Sequence, residues 1–490
     1  MNRVLSIVLS VGFLTLDIQA QDAASLIEAS AQAMGTSALQ AIQYSGTGTN
    51  NSVGQAATPG GPWPRFKVTK YAALVNYAVP AMRQEIIRVD NEYPPRGGGA
   101  GPFNPSTGQG GIRPIPGDIL QNQNVDGRTE VGALNIWMTP HGFVKGAAAN
   151  VASAKLSTVR GKKILSFSAF GKYTVTGVLD DRNLVERVET RIYNNFTGDT
   201  LIEGIYSDYR DFKGVKFPMN ILQRQGGHPT LDIRVVEFVP NSSAALEFRG
   251  NPPRGGGPVP AAGAASPTGS AVRIQPEKIG NGIWFLTFGA PQSILVEFSD
   301  HVIIIEAPSN DERTLATLAE VKRMLPGKPV RYLVSTHHHA DHSGGIRAYV
   351  AEGIPVISHE SNKRYYEEIF KNPHTLNPDH LARKPRALVI EAVKDKRVLA
   401  DSTMRLELYH LRGNLHSEGL LVAYIPQEKL LIQADAFAPR PGVPPLPAPS
   451  PYTTNLVENI KRLKLDVERV AHVHGGVDPY AAVRKAAGLE

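Results

Sequence analysis

The 490-residue sequence predicts a two-domain protein, with a β-rich first domain over residues 21–250 and an α/β second domain over 272–490. Three observations carry that prediction. Residues 251–271, NPPRGGGPVPAAGAASPTGSA, are almost wholly Pro, Gly, Ala and Ser without hydrophobic periodicity, the composition of an extended linker. Upstream of it, short runs of β-branched and aromatic residues alternate at period two. Downstream, apolar strands alternate with helix-like stretches, and the histidines gather. Only His141 and His228 precede the linker, whereas twelve of the 14 lie between His301 and His474.

The chain opens on MNRVLSIVLSVGFLTLDIQAQ, with Arg3, an apolar stretch from Val4 to Leu16, and the small Ala20 before Gln21. That is the pattern of a secretory signal peptide over 1–20, so the mature chain is expected to be exported from a bacterial-type cell, to the periplasm or the medium. The apolar run is shorter than the roughly 20 residues a membrane-spanning helix needs, and no later stretch is long enough either. Cysteine is absent, which removes disulfides, thiolate metal ligands and thiol nucleophiles. The net charge of +7 and pI near 9.3 are spread thinly, with no Lys/Arg run interleaved with aromatics, so nucleic acid is not an expected partner.

Residues 93–117, YPPRGGGAGPFNPSTGQGGIRPIPG, read as a long loop inside the first domain. Over 118–250, KKILSFSAF, YTVTGVLDD, LVERVETRIYN, LIEGIYSDYRDF and LDIRVVEFVP read as consecutive antiparallel strands separated by Gly, Asn and Asp turns. The stretch from IYSDYRDF to SSAALEF resembles the tail of the periplasmic lipoprotein-carrier family. That resemblance implies an incomplete β-barrel sheltering a lipid or acyl chain.

In the second domain, VRYLVST (330–336) is an apolar strand and GGIRAYVAEG (344–353) can begin a helix. HHHADH therefore occupies the turn at a strand's C-terminal end, the edge where α/β folds bind ligands. His337 and His339 share one side of an extended chain and His338 takes the other. Asp341 and His342 follow as the chain turns, so they address a second point nearby. The helix N-terminus there is expected to add partial positive charge. Four imidazoles and a carboxylate in six residues point to bound metal, since crowded neutral imidazoles gain little unless something engages their lone pairs.

His337, His339, Asp341 and His342 form H-x-H-x-D-H, and the domain resembles the metallo-β-lactamase superfamily from about residue 275 to the end. IGNGIWFLTFG, SILVEF and HVIIIEAP come first, then GNLHSEGLLVAYIP with His416, KLLIQADAFAP with Asp435, and VAHVHGG with His474. The resemblance implies an αββα sandwich holding two divalent metal ions. His337, His339 and His416 would hold one, and Asp341, His342 and His474 the other, with Asp435 bridging. Zinc suits this nitrogen and oxygen set, and iron or manganese are also accepted by it. His472 shares strand period with His474, and the His-Gly pattern of the family selects His474. Glu306 stands where the family carries an aspartate, and is expected to orient the histidine loop without being a ligand.

A carboxylate at the bridging position is typical of the hydroxyacylglutathione hydrolases, lactonases and phosphodiesterases of the superfamily, while many β-lactamases proper use cysteine. The resemblance therefore implies a secreted hydrolase in which hydroxide delivered from the metal pair attacks an ester, thioester, lactone or amide, with Asp341 or Asp435 handling its proton. Two other classes share these features. One is an iron-dependent oxidoreductase of persulfide-like substrates on the same fold, and the other an apolar-ligand-binding protein with a structural metal site. The proline-rich 438–452 is expected to form a stiff loop beside the site. Residues 361–380 read as a helix face followed by a capped loop.

Overall fold

The computed structural model describes residues 11–91, 94–98, 119–250, 272–439 and 449–489, and the side chains of all these except 11–21 and 119–122. The first half of the leader, most of the 93–117 stretch, the 251–271 linker and the centre of the proline-rich insertion lie outside the described residues.

Eleven antiparallel strands form one sheet in the first domain. Their order is Ile119–Asp126, Ala81–Asp90, Arg65–Asn76, Ala41–Asn51, His228–Pro240, Val215–Gln225, Gly198–Phe212, Val185–Asn194, Tyr173–Leu179, Lys162–Ala169 and Lys155–Val159. Among the described residues the two edge strands are not neighbours, so the sheet as described is open. Period-two burial is visible in Tyr173–Leu179, where Tyr173, Val175, Gly177 and Leu179 turn inward. Helices Val11–Met34, Glu130–Trp137 and Pro140–Ala149 pack on that inner face through Leu26, Ile27, Met34, Leu134, Phe143 and Val144. The contact is close: a Cβ on Gly177 would lie 2.2 Å from the Phe143 ring.

The strands expected from KKILSFSAF onward are present, and the helices over 130–149 are unanticipated, although a local signal for both is present. Thr129 and Thr139 cap the two short helices through their hydroxyls, and Pro140 takes the first helical position, where its missing N–H costs nothing.

The second domain has two sheets. One runs Gln275–Gly280, Ile283–Thr287, Ser293–Glu297, Val302–Ile305, Val330–Val334, Val356–His359, Ile390–Val393, antiparallel at first and parallel from Val302–Ile305 onward. The other runs Lys396–Ala400, Arg405–His410, Leu421–Ile425, Leu430–Gln433, Arg469–His472, Val477–Pro479. Ile294, Val296, Ile303 and Ile305 face the second sheet, meeting Leu406, Leu408, Val422 and Leu431. Their neighbours Leu295, Val302 and Ile304 face the helical side, meeting Tyr349, Val350 and Tyr366. Strands buried on both faces are apolar along their length, which is why VIII and the ILV of the strand beside it read as unbroken runs. With helices on the outer faces, this is an αββα sandwich.

The domains also touch directly. The turn after Val185–Asn194 inserts Phe196, 3% exposed, into the helical-side core of the second domain beside Tyr365 and Tyr366. Asp199 accepts hydrogen bonds from the backbone N–H groups of Thr375 and Leu376 at 2.8 and 3.2 Å.

Candidate metal centre

Strand Val330–Val334 lies inside its sheet, and its carboxyl end leads into the histidine loop. The helix expected to follow is broken: Ala340–Ser343 is a single turn, and a second helix begins at Ile346. So short a turn has almost no macrodipole, so the positive charge expected from a helix N-terminus contributes little.

His337 and His339 turn together into the site, with ring centroids 4.6 Å apart. His338 turns toward Tyr365 and Ser417, and burial pushes its imidazole down to about 3. His416 arrives from the loop between strands Arg405–His410 and Leu421–Ile425, its backbone N–H held by Asn414 Oδ1 at 2.9 Å. Asp435 follows strand Leu430–Gln433. Gln433 Oε1 accepts from the N–H groups of Ala436 and Phe437, which turns the chain just past Asp435.

The fold gathers the seven residues named by the motif into two donor groups that share Asp435. His337, His339, His416 and Asp435 form one, and Asp341, His342, Asp435 and His474 the other, with the ligand atoms of each group within 4.8 Å of one another. In the first, His337 Nε2 lies 3.1 Å from His339 Nδ1, 3.2 Å from His416 Nε2 and 3.3 Å from Asp435 Oδ2. In the second, His474 Nε2 lies 2.7 Å from Asp435 Oδ1 and 3.1 Å from His342 Nε2, which is itself 3.0 Å from Asp435 Oδ2. His472 is outside both groups. Its strand ends at His472, so period two does not extend to His474, and its Nε2 pairs with Asp478 at 2.7 Å.

Tautomers are set from behind. Thr336 Oγ1 meets His337 Nδ1 at 3.0 Å, and Ala56 O accepts from His339 Nε2 at 2.8 Å. Glu306 Oε2 accepts from His342 Nδ1 at 2.7 Å while its Oε1 accepts from Thr336 N–H at 3.1 Å. Each contact leaves the other ring nitrogen free to face the site. Glu306 holds this place with φ +73°, a conformation that costs a non-glycine residue on the order of 1 kcal/mol or more.

Burial, then the neighbouring imidazoles, hold His337 and His339 well below the ordinary histidine range. Burial works against charge on Asp435, yet the facing imidazoles of His342, His474 and His416 hold it well below the usual carboxylate range. Burial likewise lowers His342, but Asp435, Asp341 and Glu306 outweigh it and hold His342 well above its ordinary value. Imidazole nitrogens converging at 3.1 to 3.2 Å beside a shared carboxylate gain little from one another unless a cation lies among them. Each donor group could hold a metal ion.

Residues 361–380 form helix Glu360–Ile369 and a loop leading to helix His380–Arg383, capped by Asp379. Tyr366 supports the histidine loop from below, donating to His337 O at 3.1 Å. A cavity of about 310 Å³ beside Phe370, Leu381 and Arg386 is lined by none of the seven donors. Gln433, Tyr452, Gln55 and Ala56 escaped the sequence reading. Tyr452, from helix Pro451–Leu463, stacks edge-on near His416 at 5.7 Å.

An αββα sandwich with two His/Asp donor groups at one edge of its sheets defines a class of metal-binding fold. Residues 286–474 match the family model of the Metallo-beta-lactamase superfamily. Among solved structures, a metallo-beta-lactamase from Pontibacter korlensis is 19% identical, covering 44% of this chain and 98% of its own, with a TM-score of 0.34. One from Hirschia baltica is 20% identical, covering 44% and 97%, with a TM-score of 0.34. No curated protein matches the sequence.

Proposed function

We propose that the second domain is a metal-dependent hydrolase of an ester, thioester, lactone or amide, holding two ions through His337, His339, His416, Asp341, His342, His474 and the shared Asp435. The sharing of Asp435 between two donor groups carries this reading, because a single structural ion needs no bridging carboxylate. When bound, a pair of ions supplies Lewis acidity and a water acidified toward neutral pH. The chain's own residues do the rest. Asp435 is hemmed in by four imidazole nitrogens, so its part is to hold the two groups together. Asp341, whose side chain is 26% exposed, has the access a proton acceptor needs.

The first test is the metal content of the purified protein by elemental mass spectrometry, followed by turnover of ester, thioester, lactone and lactam substrates. About two zinc ions per chain with hydrolysis of one class is the expected result. About one iron per chain with oxygen consumption would replace this reading with the oxidoreductase of persulfide-like substrates. Failure to bind any metal would overturn both.

We further propose that the chain is exported after loss of residues 1–20, and that 251–271 joins two separately cored domains. N-terminal sequencing of protein recovered from a bacterial periplasm and limited proteolysis test the two points. The inner face of the first domain's sheet is filled by Leu26, Ile27, Met34 and Phe143, so an acyl ligand there would require the helices to leave, and we do not propose one.

A further inference from the structure

We infer that the first domain completes the metal centre, with Gln55 and the Ala56 carbonyl acting as positioning groups for Asp341 and His339; this rests on the metal-binding reading above. Residues 52–64 join strands Ala41–Asn51 and Arg65–Asn76 and reach across to the histidine loop. Ala56 is 3% exposed, and its carbonyl accepts the Nε2 proton of His339 at 2.8 Å, which leaves Nδ1 as the donor atom facing His337. Gln55 Nε2 donates to Asp341 Oδ1 at 2.9 Å, while Asp341 Oδ2 faces His342 Nε2 at 3.5 Å. One carboxylate oxygen is thus held by Gln55 and the other is left for a cation, which limits Asp341 to single-oxygen ligation.

The loop is held there by bonds to the segment that carries His416. Glu418 N–H donates to Ala57 O at 2.8 Å, and Gly97 N–H donates to Leu415 O at 2.8 Å. Tyr452 Oη lies 2.9 Å from the carbonyl oxygens of both Pro95 and Gly97, which share its one proton, and Gly98 N–H donates to Gln55 O at 3.0 Å. Gly98 lies so close that a Cβ there would stand 2.1 Å from Gln55 Oε1 and 2.7 Å from His416 Cε1. Glycine is required by this approach, so the backbone of one domain forms a wall of the metal centre of the other.

The test uses the full chain loaded with cobalt(II), whose visible absorption reports ligand geometry, with stepwise affinities from chelator competition. Gln55→Leu is expected to weaken the ion held by Asp341 by roughly 10- to 100-fold, the usual effect of losing a partner behind a ligand, and to change the cobalt spectrum. The ion held by His337, His339 and His416 keeps its affinity in that variant. Gly98→Ala is expected to weaken both ions, because the added Cβ would meet Gln55 Oε1 as well as His416 Cε1. Two wild-type-like affinities and an unaltered spectrum in both variants would overturn the inference and leave the metal centre standing. Wild-type protein that takes up no cobalt would overturn both.

Discussion

Replacing Glu306 by glutamine isolates what one buried carboxylate does for the metal centre. Glu306 is fully buried and accepts two hydrogen bonds, from His342 Nδ1 and from Thr336 N–H. Glutamine has the same shape but offers one acceptor and one donor. If its oxygen faces Thr336, its NH2 meets the Nδ1 proton of His342. Relief then requires the proton to move to Nε2, the atom 3.0 Å from Asp435 that the second donor group needs as a lone pair. If its oxygen faces His342, a donor is left against Thr336 N–H, a buried mismatch of about 1–3 kcal/mol. Either way the second group is impaired, by roughly 10- to 100-fold in metal affinity, or about 1.4–2.7 kcal/mol at 1.36 kcal/mol per decade. Glu306→Asp keeps the charge but is shorter by one methylene, about 1.5 Å, and should fall between the two. Chelator competition on the full-length variants, with the melting temperature as a control for folding, reads the effect. Unchanged affinity for both ions in a folded Glu306→Gln protein would refute the reasoning.

His141 is wholly buried against Phe217 in the first domain, and burial pushes it from 6.5 down to about 4. Its folded pKa lies below the unfolded one, so the unfolded chain takes up the proton first as pH falls; about 3 kcal/mol of stability is lost between about pH 6.5 and 4. Urea titrations at several pH values should show this slope in the wild type and a flatter one in His141→Leu, and equal slopes would discount the burial argument. Phe196→Ala removes the ring that anchors the first domain in the second, and a cost of about 3–5 kcal/mol is expected. It should appear in calorimetry as a separation of the two domains' transitions, and a single unshifted transition would count against the anchor. Tyr366→Phe removes the hydroxyl that donates to His337 O; a loss of about 1 kcal/mol in chemical denaturation is expected, and an unchanged midpoint would show that the bond adds nothing.

Much of the second domain can be read from local chemistry alone. A run such as VIII must lie between two layers because every residue in it is apolar, and HHHADH falls at a strand's end because the β-branched, apolar pattern stops there and Gly344 and Gly345 follow. Alternation placed His337 and His339 on one side and His338 on the other, a consequence of backbone geometry that needs no partner. The first domain is less legible. Its helices were hidden because Thr129 and Thr139 are ordinary polar residues until their caps form, and the Leu26, Ile27, Met34 spacing is too short to stand out beside an apolar leader.

What only the tertiary structure decided is everything that depends on approach between distant segments. That His472 pairs with Asp478 while His474 faces Asp435 follows from where one strand stops, not from spacing. That Glu306 reaches both His342 and Thr336 depends on a positive φ imposed by its surroundings. The contacts of Gln55 and Ala56 join residues some 280 positions apart, in different domains. Periodicity and motif spacing are local quantities, whereas the partner behind a ligand is chosen by which surfaces pack together, and that choice is made only when the whole chain has folded.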